Sequence, residues 1–336
     1  MSFVAGIDVG GTAVNYTLLD DAGRFLIDGL FEHPALSKEG PDVCVKQIVD
    51  GLDLALAHVG VSKADLVAVG LDTPGPASAT GVLSAEGSTN FVHPGWSSFD
   101  LRGAVERALG LRVSYLNDGN AAALWGHYVL FGDRPDVTSL SVVIGTGNGG
   151  GIVIGRHVVK GVNGFGGEVG HVLIPYQGIA GIEGIHPQCN CGRVGDLESL
   201  CSLTAITQTL LPYFLKRYPS HELHNEPIVA AAKRVRGLAA RGDEMCREIF
   251  RVQAHALGLF FDQMINTFDP DGLVVGGGAV EASADFTQWF VGEVRRGMPE
   301  QRAEQAGVPI VVMPNGDAAG ARGAAVDAWN MVRHGA

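Results

Sequence analysis

Ser141-Val142-Val143-Ile144-Gly145-Thr146-Gly147-Asn148-Gly149-Gly150-Gly151-Ile152-Val153-Ile154 is the stretch on which the fold turns. Its glycines from 145 to 150 match G-x-G-x-x-G, and Glu168 stands about 20 residues on, where a dinucleotide-binding unit keeps an acid for the ribose. That unit also needs a helix directly after the turn, whose N-terminal N–H groups receive the pyrophosphate. Gly151 is succeeded instead by Ile152-Val153-Ile154, a β-branched apolar run. The segment therefore reads as strand, glycine turn, strand. No lysine in the chain comes directly after a glycine, so the phosphate loop ending in Gly-Lys is absent as well.

The same pattern opens the chain. Residues 3–9 form an apolar strand, Gly10-Gly11-Thr12 turns it, and Val14 to Asp20 returns. Residues 41–59 carry Val45, Ile48, Leu52 and Leu56 at helical spacing and close at Gly60. Leu66 to Leu71 is a buried strand running into the loop Thr73-Pro74-Gly75-Pro76, and residues 100–109 are helical. Val113 to Leu116 is a strand ending in Asn117-Asp118-Gly119-Asn120, with an alanine-rich helix from Ala121. Residues 199–215 and 228–268 are expected as helices, and Leu273-Val274-Val275 as a strand stopped by Gly276-Gly277-Gly278. Val308 to Met313 leads through Asn315-Gly316-Asp317 into a last helix, Ala318 to Val332.

Strands alternating with helices, and a strand–turn–strand opening to each half, predict an α/β protein of two lobes with a cleft between them. With no long Pro/Gly/Ser linker, the boundary is placed as a hinge near residue 119. The first lobe is then 1–118 and the second 119–317, with the final helix (about 318–334) expected to pack back on the first.

Composition agrees with a folded, ligand-binding chain. Of 336 residues 46% are hydrophobic and 18% charged, enough apolar surface for a sizeable core. Glycine, at 48 residues, is about twice the ~7% norm, as expected where backbone must approach something closely at several places. A net charge of −12 argues against nucleic acid or an anionic membrane as partner. Five unevenly spaced cysteines do not make a disulfide framework, and the pair Cys189/Cys191 points to metal before disulfide. Met1 to Asp8 has no basic segment and meets an acid at once, so no signal peptide is expected. The longest uncharged stretch, Val137 to Gly155, is interrupted by glycines and reads as a hairpin, not a membrane span. A cytoplasmic location is expected.

Taken singly, these features have plain explanations. A glycine hairpin is a tight turn, and an aspartate after a strand is ordinarily a turn former or a helix cap. Two such hairpins, with Gly or Asn clustered beside Asp8, Asp118 and Asp317, instead suit phosphate groups held by backbone N–H donors.

In order along the whole chain, the motifs resemble those of the ROK family (repressors, open reading frames and kinases), a branch of the actin/hexokinase-type, ribonuclease H-like fold. Gly6-Ile7-Asp8-Val9-Gly10-Gly11-Thr12 resembles its first phosphate motif, Asn117 to Ala123 its sugar and catalytic motif, and Gly145-Thr146-Gly147 its second phosphate loop. Gly161 to His171, ending Gly167-Glu168-Val169-Gly170-His171, resembles the sugar-binding signature. Cys189-x-Cys191-Gly192-x-x-Gly195-x-x-Glu198 resembles the zinc signature, and Gly276-Gly277-Gly278 the adenosine loop.

The resemblance implies ATP-dependent phosphorylation of a hexose with Mg²⁺, glucose being the first choice and fructose, mannose, allose or an N-acyl amino sugar the alternatives. It implies Asp118 as general base on the sugar hydroxyl, a role suited to phosphoryl transfer, where an oriented nucleophile matters most. Gly75, Asn90, Asn117, Asp118, Glu168, His171 and Glu198 would contact the sugar. Asp8 would help hold the metal-bound water shell, with Gly10, Gly11, Thr12, Gly145, Thr146 and Gly147 at the phosphates and Gly277 and Gly278 at the adenosine. A homodimer is implied too.

The family's structural zinc uses one His and three Cys. His171, Cys189 and Cys191 fit that pattern, while Asp196 takes the third cysteine's position, an exchange zinc accepts; Cys201 and His186 are nearby substitutes. Cys44 and Cys246 fall in helical patterns and are expected in the core. Further departures are Ala13 where many of the family's kinases carry lysine, Gly119 in place of alanine, and Gly126 where an acid is common. Two other classes compete. A sugar-sensing regulator would carry an N-terminal DNA-binding segment, whereas this sequence opens at the first phosphate strand; a sugar-binding protein without catalysis would not need Asp8, Asp118 and both hairpins.

Overall fold

Phe3–Val9 is apolar on both faces and forms β1, the middle strand of a five-stranded sheet. β2 (Ala13–Asp20) returns antiparallel to it and β3 (Phe31–Pro34) pairs antiparallel with β2. On the other side β4 (Leu66–Thr73) and β5 (Val113–Asn117) run parallel to β1, giving the order β3-β2-β1-β4-β5. The computed structural model describes residues 1–86, 90–299, 301–314 and 316–335. Asn315 and part of the 73–90 loop lie outside the described residues.

One face of this sheet is covered by α1 (Pro41–Val59) and α2 (Leu101–Leu109), whose Ile48, Leu52, Leu101 and Val105 join Ile7, Val9, Val69 and Leu71 in one core. The other face carries α3 (Asp118–Phe131) and α9 (Ala319–His334), with Ala121, Leu124, Ala325 and Trp329 set against Val4, Ala68 and Leu116. α9 lies so close that a Cβ at Gly6 would stand 1.9 Å from the Ala321 carbonyl oxygen, and one at Gly70 1.8 Å from that of Ala324. Part of the glycine excess is thus spent on seating one helix.

The second sheet has the order β10-β9-β6-β7-β8: β6 (Thr138–Ile144), β7 (Asn148–Ile154), β8 (His157–Val158), β9 (Gly272–Gly276) and β10 (Ile310–Val312). The uncharged stretch is a hairpin, as its glycines predict. Its helices are α4 (Leu203–Ala205), joined through a π-helical turn (Ile206–Leu210) to α5 (Leu211–Arg217), then α6 (Ile228–Ala240), α7 (Glu244–Phe268) and α8 (Ala284–Gly297). The helix expected from 199 starts at Leu203, where Ser202 accepts the Ala205 N–H as N-cap. The run expected over 228–268 breaks at Gly242, whose φ is +95°, and Asp243 caps α7. α8, unforeseen, packs Phe286 and Phe290 on Phe250 of α7.

The chain divides into two units: Met1–Asp136 with Gly151–Gly167 and Asn315–Ala336, and Val137–Gly150 with Glu168–Pro314. Residues 119–136 and 151–167, expected in the second lobe, cluster with the first unit. The reason is steric: α9 sits on α3 closely enough that a Cβ at Gly323 would be 1.8 Å from the Ala121 carbonyl oxygen, and Gly151 leaves room for Asn120 and Ala123. Among the described residues, no helix is long and apolar enough to cross a membrane.

Candidate active site

In the first unit the parallel strands β1, β4 and β5 end on the same edge, where ligands of open α/β sheets bind. Asp8 is in register with Asp72, and Thr73 with Asn117, so the strand ends deliver Asp8, Asp72 and the Asn117-Asp118 pair to one place. Asn117 caps α3 by accepting the Asn120 N–H at 2.7 Å, and Asp118 Oδ1 accepts the Gly119 N–H at 2.7 Å. Asp8 accepts a hydrogen bond from Asn15 Nδ2 at 3.0 Å. Burial holds its carboxyl above the usual carboxylate range, while hydrogen bonds with Asn15 and Asp72 oppose that shift.

Asp72 was not foreseen. It has no exposed surface, and its carboxyl is pushed well above the ordinary range, first by burial and then by the charges of Asp8 and Asp118. The available signal was an acid directly after the apolar run Leu66–Leu71, the same signal that Asp8 gives after Phe3–Ile7.

The turn at Gly10 is closed by a bond from its N–H to the Ala13 carbonyl, and Thr12 O accepts the Ala35 N–H. Gly11 fits against Asn90, whose Cβ would be 2.5 Å from a Cβ placed there, and the Ser37 hydroxyl donates to Gly11 O at 2.6 Å. Thus Asn90, expected at the sugar, packs against the Gly10-Gly11-Thr12 turn. Gly75 lies in the loop after β4, just beyond Thr73, whose hydroxyl hydrogen-bonds Tyr115 at 2.6 Å. A small recess in this unit is lined by Tyr115, Asn117, Asn120 and Lys160. Lys160, also unforeseen, donates to the Tyr115 carbonyl at 2.9 Å and lies 3.7 Å from the partly buried Asp327.

The second unit carries the other expected residues. The Gly145-Thr146-Gly147 turn is held from behind, Leu203 and Thr204 donating their N–H groups to Gly145 O and Thr146 O. Glu198 Oε2 accepts the Asn148 N–H at 2.8 Å and would be 2.4 Å from a Cβ at Gly147, so only glycine fits there undisturbed. Gly277, at φ +92°, packs on Ile144 at the end of β6, and Ala279 N–H bonds the same residue's carbonyl. Arg236 donates to the Gly278 carbonyl, a cation beside the adenosine-like turn that no motif announced. Glu168 precedes the short turn Val169–His171, its carboxyl raised first by burial and then by Glu198, with His171 opposing.

His171, Cys189, Cys191 and Asp196 come together in this unit, their ligand atoms all within 4.8 Å of one another. His171 Nδ1 is 3.3 Å from Asp196 Oδ2 and 3.7 Å from Cys189 Sγ, and Cys191 Sγ is 3.4 Å from Asp196 Oδ2. Tetrahedral ligands at ~2.0–2.3 Å from zinc stand about 3.3–3.8 Å apart, so the donor set fits. Asp196 Oδ1 accepts the Ser199 N–H, which orients the carboxylate. Cys201 is buried and outside the cluster. A second group, His221, Asp243 and Cys246, is a capping arrangement: Leu223 N–H donates to His221 Nδ1, which leaves the proton on Nε2 for Asp243.

Comparison with known proteins points the same way. A glucokinase from Halalkalibacterium halodurans is 32% identical over 283 residues, covering 82% of this chain and 80% of that protein. A ROK hexokinase structure from Thermus thermophilus superposes with a TM-score of 0.76 at 28% identity, over 98% of this chain and 99% of that one. A ROK family glucokinase from Streptomyces griseus, solved with glucose and AMPPNP, gives 0.69 at 25% identity over 98% and 100%. The two sheets are those of the actin/hexokinase-like α/β fold. The ROK family profile matches residues 4–329, nearly the full length over which the motifs run, and the chain belongs to the ROK family.

Proposed function

We propose that the protein transfers the γ-phosphoryl group of Mg·ATP to a hexose hydroxyl, with glucose as the substrate and glucose 6-phosphate and ADP as products. The observation that carries the reading is the convergence of Asp8, Asp72 and Asn117-Asp118 on one edge of the first sheet, in a chain whose relatives include glucokinases. The hexose 6-hydroxyl oxygen attacks the γ-phosphorus, the bond to the β–γ bridging oxygen breaks, and the hydroxyl proton passes to the Asp118 carboxylate. Such a transfer asks for placement and charge compensation more than covalent help. Asp8, which accepts a hydrogen bond from Asn15, would order the water shell of Mg²⁺; the Gly10 and Gly145 N–H groups close their own turns on Ala13 O and Gly147 O, and the N–H groups of Gly11, Thr12, Thr146 and Gly147 would face the phosphates.

Asn117, Glu168, His171 and Glu198 bind the sugar, with Gly75 and Asn90 beside it. Gly277 and Gly278 receive the adenosine. His171 faces the metal donors through Nδ1, which leaves Nε2 for a sugar hydroxyl. His171, Cys189, Cys191 and Asp196 would hold a structural zinc, which would fix the loop that carries Glu198. The five free cysteines, one of them exposed, suit the reducing cytoplasm, and a homodimer is the expected assembly.

The test is sugar-dependent ADP release with Mg·ATP over glucose, fructose, mannose, allose and N-acyl amino sugars, run beside Asp118→Asn. Glucose should give the highest kcat/KM. The variant should lose turnover by at least about a thousandfold while glucose affinity stays within about tenfold, since the base acts in the transition state. Release with no sugar in the panel would refute the kinase reading, and a variant with near-normal turnover would remove Asp118 from the mechanism.

A further inference from the structure

The side chain of Glu198 does more than face a sugar. Its backbone N–H is tied to Gly170 O at 2.8 Å and its carbonyl accepts the Ser202 hydroxyl at 2.8 Å, so the residue is fixed at both ends. From there Oε2 takes the Asn148 N–H at 2.8 Å, while Oε1 lies 3.4 Å from Cys189 Sγ. Asn148 is the first residue of β7 and directly follows the turn, whose own closing bond runs from the Gly145 N–H to the Gly147 carbonyl at 2.9 Å. Gly170, inside the signature that ends at His171, is packed so that a Cβ there would stand 2.8 Å from Asn148 Cβ and 3.5 Å from Glu198 Cβ.

We infer that Glu198 is a positioning residue for the nucleotide: by holding the Asn148 N–H it fixes the Gly145-Thr146-Gly147 turn in its phosphate-binding shape. The inference rests on the reading of that turn as a phosphate site. It separates two roles that a sugar contact alone would not. A carboxylate serving only the hexose leaves nucleotide affinity untouched when removed. A carboxylate that braces the turn sets nucleotide affinity in the absence of any sugar, and its neutral isostere serves nearly as well, because the glutamine carbonyl still accepts the Asn148 N–H.

The experiment compares zinc-loaded wild type, Glu198→Ala and Glu198→Gln in three measurements: AMPPNP binding without sugar by calorimetry, amide hydrogen exchange over residues 145–149, and metal content. Glu198→Ala should raise the AMPPNP Kd about tenfold, the scale of losing a bond to a charged acceptor, and speed exchange across the turn. Glu198→Gln should restore both to within about threefold of wild type. Should Glu198→Ala fail to fold, Gly147→Ala, which pushes on the same carboxylate, is measured alone and with Glu198→Gln. The nucleotide losses should then be non-additive, since both act through one contact. Unchanged exchange in Glu198→Ala overturns the bracing role whatever the nucleotide does; fully additive losses in the alternative pair do the same. Faster exchange with unchanged AMPPNP affinity, or a wild type that binds no AMPPNP, refutes the phosphate reading of the turn and the inference with it.

Discussion

Ionising a carboxyl that has no exposed surface and stands beside two other acids is costly, and Asp72 is such a group. In the unfolded chain it titrates near ~3.9. Folded, its pKa lies well above that, so above pH ~4 the native state holds a proton that the unfolded state has released. Stability contributed by this position therefore falls as pH rises from ~4 towards the folded pKa and is unaffected below ~4. Asp72→Asn abolishes the titration and keeps the shape. Its Tm should exceed wild type by a margin that grows as pH rises above ~4 towards the folded pKa, at roughly 2–4 °C for each kcal/mol, and vanishes in acid. Calorimetric scans at several pH values read this directly; a margin that stays flat with pH, or a loss of stability at neutral pH, would contradict it. A residue kept at a cost to stability, on the strand edge that carries Asp8 and Asp118, belongs to function more than to folding.

At the scale of elements, the loop between the turn at His171 and α4 has little regular structure of its own, so the proposed zinc would contribute strongly to its order. From Val172 to Ser202 the only helical turn among the described residues is the short Tyr176–Gly178, and the only β pairings are single bridges, Leu173 with Asp196 and Gln188 with Val194. Donors at 171, 189, 191 and 196 would make a clamp along it, and ligand binding to the folded state is folding free energy. Purified protein should carry about one zinc per chain, and chelation should lower Tm by several degrees. Asp196→Asn is the discriminating variant. Its amide oxygen can keep the Ser199 cap, yet it no longer offers a carboxylate, so metal content should fall while the local backbone survives. Full metal content in Asp196→Asn would remove that residue from the donor set; chelation without any change in Tm would remove the metal from the stability of the loop.

For the whole molecule, what could be read from the chain was what neighbours in sequence decide. β-Branched runs on both sides of Gly145–Gly151 made a hairpin legible, and an alanine-rich helix after the strand was legible too, although it starts at Asp118, capped by Asn117, and not at Ala121. That His171, Cys189, Cys191 and Asp196 would cluster was legible from spacing plus resemblance. What pairs residues far apart was not: α3 joins the first unit because Ala121 meets Gly323, about 200 positions away, and no local pattern records that. Asp72 escaped for the same reason, since only register beside Asp8 makes it part of a site. The long-range closure carries a testable consequence. The first unit ends with residues that come after the whole of the second, and α9 supplies Ala325, Val326, Ala328 and Trp329 to the core on one face of its sheet. A chain stopped at Pro314 would expose Val4, Leu19, Ala68 and Leu116 to water, a loss of several buried side chains at ~1.5–3 kcal/mol each, against a total stability of about 5–15 kcal/mol. The first unit should then fail to fold, with Trp96 and Trp125, both buried in it, shifting their emission to the red and proteolysis cutting first within residues 1–136. Adding back a peptide of residues 316–335 should restore protection in proportion to its concentration, since the seat for α9 is shaped by Gly6 and Gly70. A truncated chain that melts like the full one, with both tryptophans still shielded, would show that α9 is an accessory to the first unit and not the element that completes it.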